Sequence, residues 1–384
     1  MKIIGIICEY NPLHLGHKKQ FDTIRSANPD CSIVCLMSGN YVQRGEPAIF
    51  DKMLRAQAAI ACGADLVLEL PIPVALSSAE GFAQGGVSIL SKACDSLCFG
   101  AENAQAETLW QIAGALLRPE FSPILKEELE TGVSFPAARQ KALERMGVCA
   151  DILAAPNNIL AVEYCKAILS QNSAMEIMPI LRQGNYHGTL PDAENPSATF
   201  LRQQIFQKQD WQSYVPEPVR EIFAGGNRHC TAFGERSVLT RLRTMTDEEF
   251  EALPYGSEGL WRKLMHASRQ FGTLEEIIAA VKSKRYTRTR LDRMVLCAYL
   301  GITQKTLTEP VPYVRALAFN DKGRDILKEF RTQGEFPNIG EIRPEAYQLL
   351  ENRCTDLYGL FAEVPEPPSR EEKYRVYYEK NGET

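Results

Sequence analysis

Short, almost wholly apolar runs recur through the first hundred residues, at 3–8, 32–37, 65–70 and 96–99, with another at 175–181. They are rich in Ile, Val and Leu and do not alternate apolar with polar positions, which is the pattern of strands covered on both faces. Between them, over 51–61 and 79–92, apolar residues return with the 3.6-residue period of a helix. Strands and helices in alternation predict a doubly wound α/β fold with a parallel, Rossmann-like sheet. Ligands of such sheets lie beyond the strand C-terminal ends, here residues 8–12, 38–46, 71 and 100.

Helical periodicity continues over 107–146, broken at Pro119, Pro123 and Pro136, and over 157–170, entered through Pro156. A helix over 198–207, led by Ser197, is expected to close the sheet domain. After Pro216 and Pro218 the strand pattern vanishes, and 248–300 reads as helix up to Gly301. Two domains are therefore expected, an α/β domain over 1–207 and a mainly α-helical one over 208–384, consistent with 384 residues at about 100–200 per domain. The Pro-rich and charged tail, 365–384, is expected to be partly mobile.

No apolar run approaches the ~18–20 residues that span a bilayer, so no membrane association is expected. Eleven dispersed cysteines, whose closest pairs are Cys31 with Cys35 and Cys94 with Cys98, have no neighbouring histidines. They read as reduced, mostly buried thiols of a cytoplasmic protein.

Candidate chemistry concentrates in Glu9-Tyr10-Asn11-Pro12-Leu13-His14-Leu15-Gly16-His17, directly after the first strand. A spacing of three puts His14 and His17 on one side of the first helical turn, near backbone N–H groups that attract anions. Gly16 leaves room for a ring against the backbone. Imidazoles and oriented amides supply donors to a triphosphate without a covalent nucleophile. Alone, two histidines at this spacing are better read as surface or capping residues; their position directly after the first strand, preceded by Asn-Pro, favours function. The pattern resembles the HxGH signature of the nucleotidyltransferase superfamily related to class I aminoacyl-tRNA synthetases. A second signature of that superfamily is matched by Ser197-Ala198-Thr199-Phe200-Leu201-Arg202, with Ser197 and Thr199 as hydroxyl donors and Arg202 as a charge clamp.

Longer strings extend the likeness. Residues 9–17, Met37-Ser38-Gly39-Asn40-Tyr41-Val42-Gln43-Arg44-Gly45-Glu46-Pro47-Ala48, Phe99-Gly100 and Pro156-Asn157-Asn158-Ile159-Leu160 together resemble the bacterial tRNA(Met) cytidine acetate ligase family. That resemblance implies an enzyme that activates acetate with ATP as acetyl-adenylate, then acetylates N4 of the wobble cytidine of elongator tRNA(Met). It also implies a nucleotide site formed by Ile7, Asn11, His14, Gly16, His17, Gln20, Gly100, Asn157, Arg182 and Gln183, with Mg²⁺ carried by the phosphates and no metal held by the protein. Leu13 and Leu15 depart from the family pattern, which touches packing rather than the reactive groups.

Arg44 is read either as a ligand for acetate or phosphate or as an ion-pair partner of Glu46 or Asp51. Glu9 is read either as a general base for the attacking amine or as a helix-capping or loop-ordering carboxylate. The net charge of −5 conceals a basic segment, 282–293, whose local +5 leaves −10 for the other 372 residues. Lys284, Arg285, Arg288 and Arg290 are its candidate tRNA contacts, with Tyr286 interleaved and Arg315, Lys322 and Arg324 as an extension. His187, His229 and His266 read as core or surface residues. Two other readings stay open on the residues alone: a small-molecule adenylyltransferase and a non-catalytic RNA-binding protein.

Overall fold

The computed structural model describes residues 2–182, 196–311, 313–333 and 345–380. Nine strands are present among them: β1 (Ile3–Cys8), β2 (Ser32–Ser38), β3 (Tyr41–Val42), β4 (Glu46–Pro47), β5 (Leu66–Leu70), β6 (Ser96–Ala101), β7 (Glu176–Leu181), β8 (Arg315–Asn320) and β9 (Tyr377–Glu379). Seven form one sheet in the order β7-β6-β1-β2-β5-β8-β9, and β3 pairs with β4 in a small separate ladder. Strands β7, β6, β1, β2 and β5 are parallel, in register Ile4 with Ile33, Val34 with Leu66 and Ser96 with Glu176. The five apolar runs of the sequence are these five strands.

Each strand feeds two cores, because successive side chains leave opposite faces of a sheet. Ile3, Ile7, Val34, Leu36, Leu66 and Leu68 pack on one side beneath the helices Ala79–Leu90, Ala106–Leu116 and Pro156–Ser170. Ile4, Ile6, Ile33, Cys35, Met37 and Val67 pack on the other beneath α1 (Leu15–Ala27) and α2 (Lys52–Ala61). A third core unites helices between residues 235 and 358, and it takes in Tyr41 from β3 and Leu76 from the end of the short helix that follows β5. The helical layer thus rests on the C-terminal side of the sheet.

Strands do not vanish after Pro218. β8 pairs antiparallel with β5, and β9 runs parallel to β8, so the later part of the chain completes the earlier part's sheet. Arg315, expected on a basic surface, is instead the first residue of β8, buried beside Glu371. Asn320, at the other end of β8, lies by Asp65, which puts Lys322 and Arg324 at the sheet edge opposite to Arg315. They do not extend one surface.

A buried ionic cluster ties the two parts together. Lys52 Nζ lies 2.7 Å from Glu69 Oε1 and 2.9 Å from Glu371 Oε2, and Thr355 Oγ1 donates to the same Glu371 oxygen at 2.5 Å. Nearby, the fully buried Arg55 donates to the carbonyls of Phe50 (2.9 Å), Glu9 (2.6 Å), Ser38 (3.0 Å) and Gly39. One guanidinium therefore stitches the ends of β1 and β2, satisfying carbonyls that buried loops would otherwise leave unpaired. Among the described residues no helix is long and apolar enough to cross a membrane.

Candidate functional site

Strand order reverses direction at β1, since β2 and β5 follow on one side and β6 and β7 on the other. The crevice between the ends of β1 and β6 is the switch point where such sheets bind ligands. α1 begins there. His14 is its N-cap, and His14 Nδ1 accepts the Gly16 N–H at 3.1 Å while His17 Nδ1 accepts the His14 N–H at 3.2 Å. The two rings stack, 3.8 Å between centroids and 29° between planes, and Tyr10 meets His17 edge-on at 4.9 Å.

With both Nδ1 atoms accepting, the proton of each neutral ring sits on Nε2, leaving two N–H donors. Burial, reinforced by the charge of Arg182, lowers the His14 pKa to about 3. Burial, then His14 and Arg182, pulls His17 in the same direction. The pair therefore offers hydrogen bonds rather than charge at neutral pH. A Cβ at position 16 would lie 3.0 Å from His14 Cε1, so the glycine is what lets the ring lie against the first turn.

Depressed histidine pKa values make folding acid-sensitive. Stability contributed by keeping His14 neutral is complete above its ordinary value of 6.5 and is withdrawn as pH falls toward 3, at up to about 1.4 kcal/mol per pH unit. Thermal unfolding between pH 7 and 5 is expected to show a falling midpoint. His14→Asn, which keeps a capping side chain, should flatten that slope; an unchanged slope would place the acid sensitivity elsewhere.

The opposite wall comes from β6, β7 and the Pro156–Ser170 helix. Arg182 follows β7, and its Nη1 donates to Asn157 Oδ1 at 3.0 Å. Asn157 Nδ2 donates to Glu102 Oε1 at 2.6 Å, and the Asn158 N–H reaches Glu102 Oε2 at 3.0 Å. Glu102 thereby orients the amide that orients the guanidinium. A Cβ on Gly100 would lie 2.9 Å from Arg182 Cγ, so this glycine seats the arginine stem. Gln20 Nε2 reaches Cys98 Sγ at 3.5 Å, and Ile7 is buried in β1. Gln183, like His187, lies outside the described residues.

At the third side, Ser197 caps the Ala198–Phe206 helix, its Oγ accepting the Phe200 N–H at 3.1 Å. Arg202 Nη1 donates to the Asn11 carbonyl at 2.8 Å, and its Nη2 lies 3.3 Å from Glu46 Oε1 and 3.4 Å from Thr199 Oγ1. The second signature is thus brought against the first. Asn11 also has a loop-ordering part, because its Oδ1 accepts the Ile49 N–H at 2.7 Å. Arg44 is exposed and forms neither of its expected ion pairs: Glu46 faces Arg202, and Asp51 faces Arg370. Among the described residues no three His, Cys, Asp or Glu side chains are grouped to hold a metal ion.

The basic segment looks different in three dimensions. Arg288 is bound to Glu275 and Asp292, Arg285 to Glu258, and Arg290 to the Tyr255 carbonyl and Ser257. Tyr286 is buried with its hydroxyl on Glu258, so it packs and does not offer a stacking face. Its ring carries Arg290 at 5.1 Å and Lys263 at 5.8 Å. Exposed Lys263 and Lys284 have no carboxylate partner among the described residues. Lys263, with Arg262, lies on the Leu260–Gln270 helix, whose buried Leu260, Leu264, Met265, Ala267 and Ser268 leave its basic residues outward. The same outward spacing of Arg262 and Lys263 is legible in the sequence as the polar face of an amphipathic helix.

Comparison with known proteins agrees with the geometry. The HIGH Nucleotidyl Transferase family model matches residues 1–373. A tRNA(Met) cytidine acetate ligase of Clostridium acetobutylicum is 34% identical, with 96% of this chain and 97% of the relative covered. One from Alkaliphilus metalliredigens is 36% identical, covering 94% of each. The chain belongs to the tRNA(Met) cytidine acetate ligase family. A crystal structure of Thermotoga maritima TmcAL bound with alpha-thio ATP superposes with a TM-score of 0.88 at 29% identity, covering 99% of this chain and 100% of that one. The apo form of the same family member gives 0.89 at 28%. The sheet and the helical layer are therefore a shared family architecture, and the paired histidines lie on its β1–α1 junction.

Proposed function

We propose that this protein is an ATP-dependent acetate ligase that forms acetyl-adenylate and transfers the acetyl group to N4 of the wobble cytidine of elongator tRNA(Met). Family membership supports the activity; the observation that carries the chemistry is the pair of neutral, stacked histidines capping α1 at the switch point. ATP lies across the ends of β1 and β6, between the α1 cap, the Arg182–Asn157–Glu102 relay and Arg202. An acetate oxygen attacks the α-phosphorus; the P–O bond to pyrophosphate breaks, and His14 and His17 donate through Nε2–H to the charge that develops. Mg²⁺ enters with the nucleotide phosphates as part of the substrate.

Gly16, Gly100, Gln20, Ile7 and Asn11 shape the nucleotide pocket, and Ser197 and Thr199 add hydroxyl donors beside Arg202. Residues 1–207 carry the adenylation chemistry, and 208–384 carry the tRNA face while completing the sheet through β8 and β9. The work is placed in the cytoplasm, where the tRNA is.

Arg202 is held by Asn11 and Thr199 and faces Glu46, an anion that phosphate oxygens would replace. Its grip acts on bound ATP as well as on the transition state, so its loss appears in KM. Arg202→Ala is expected to raise KM for ATP about 10- to 100-fold, the equivalent of a charged hydrogen bond, with kcat and KM for acetate little changed. Steady-state pyrophosphate release measures it. An unchanged KM for ATP would leave Arg202 as a loop anchor only.

A further inference from the structure

Acyl transfer to an exocyclic amine releases a proton, and neither neutral histidine has a free ring nitrogen to accept it, because both Nδ1 atoms are occupied by backbone N–H groups. A carboxylate at the crevice must be considered. Glu102 has both oxygens engaged by Asn157 and Asn158. Glu69 sits on Lys52, Asp51 on Arg370 and the Met53 N–H, and Glu46 on Arg202. Glu9 differs from all of these.

Glu9 is the first residue beyond β1, five positions before His14, at the same switch point. Its Oε1 accepts the Gln43 N–H at 2.7 Å, and its Oε2 has no hydrogen-bond partner among the described residues. Among the described residues no cation is paired with it, although Arg44 and Arg202 act on it from a distance and Glu46 opposes them. Burial, the largest influence, raises its pKa above the ordinary carboxylate value, which makes it a stronger base than an exposed glutamate.

The residue that holds it is itself fixed by the helical layer. The Gln43 carbonyl accepts Arg293 Nη1 at 3.2 Å, from the Arg288–Leu300 helix. Gly45, at φ +86°, lies so close to that helix that a Cβ would come within 2.3 Å of the Arg293 nitrogen. One residue, through its N–H on Glu9 and its C=O on Arg293, thus joins the segment after β1 to the helix that begins in the basic segment.

Building on the acetate-ligase reading, we propose that Glu9 is the catalytic base of the second half-reaction, accepting the proton of the cytidine N4 amine through Oε2. The N4 nitrogen forms its bond to the acetyl carbon, the bond from that carbon to the AMP phosphate oxygen breaks, the N–H proton passes to the Glu9 carboxylate, and AMP leaves as the anion. Glu9 has no part in the first half-reaction, in which acetate brings no proton. Gln43, and Arg293 behind it, are positioning residues.

The test is Glu9→Gln, which keeps an acceptor for the Gln43 N–H while removing basicity. Acetate-dependent ATP–pyrophosphate exchange should stay within about threefold of the parent protein, while single-turnover acetyl transfer to elongator tRNA(Met) falls about 10²-fold or more. The parent's transfer rate should rise with pH through the Glu9 titration and level off; the variant should lose that rise. Transfer at the parental rate overturns the proposal. So does an equal fall in exchange and transfer, which would make Glu9 a loop-ordering group; Glu9→Asp, a shortened base, is expected to retain part of the pH-dependent transfer that Glu9→Gln loses. If the unaltered protein shows no acetate-dependent exchange at all, it is the acetate-ligase reading that fails.

Discussion

His17→Ala is expected to lower acetate-dependent pyrophosphate release about 10²- to 10³-fold, the effect of removing one oriented donor from a developing charge. The ring's Nδ1 is held by the His14 N–H and its face by the His14 ring, so Nε2–H is presented without reorganisation. The loss should fall on kcat, because a donor aimed at transition-state charge contributes little to ground-state ATP binding. His17→Asn is the informative companion: an amide can cap the helix, and a partial recovery over alanine would show that a donor, rather than the ring's packing on Tyr10, is what matters. A folded His17→Ala protein with full activity would remove the residue from the mechanism.

The second large effect is expected at the proposed tRNA face. Lys263→Glu combined with Lys284→Glu should cut tRNA acetylation roughly 10²-fold while leaving acetyl-adenylate formation intact, on the basis of two lost phosphate contacts and added repulsion. Both lysines are exposed and lack carboxylate partners among the described residues, so reversal disturbs no described ion pair. The salt dependence of tRNA binding should flatten by about 0.9 of a log–log unit per lost contact. Reversing Arg288 instead would break its bonds to Glu275 and Asp292 and is expected to harm folding as much as binding. Parental tRNA affinity and slope in the double lysine variant would move the RNA to another surface.

The parts of the molecule legible in the sequence are those with local causes. β1, β2, β5, β6 and β7 announce themselves because strands buried on both faces need continuous apolar runs. The His14–Gly16–His17 arrangement is equally local, being set within a single helical turn. β8 was hidden. Two prolines precede it at 310 and 312, it opens on Arg315, and its burial depends on β5, about 250 residues earlier, and on Glu371. The same holds for Lys52 and Arg55 on α2, whose burial depends on Glu69, Glu371 and the carbonyl ends of β1 and β2, none of them near in sequence. The basic segment was visible as charge, yet sequence does not show which charges are already paired. Arg285, Arg288 and Arg290 find partners within the helical layer, and Lys263 joins the face from a helix some twenty residues earlier.

The most direct test of the acetate-ligase reading follows two labels in one mixture. The protein is incubated with ATP labelled in the adenine, acetate labelled in the carboxyl carbon, and elongator tRNA(Met), and the RNA is then digested to nucleosides. The account predicts acetate label in N4-acetylcytidine, one AMP released for each acetyl group transferred, and no AMP when acetate is omitted. Adenylyl label retained on a small-molecule product, or acetate-independent ATP breakdown with unlabelled RNA, would contradict it.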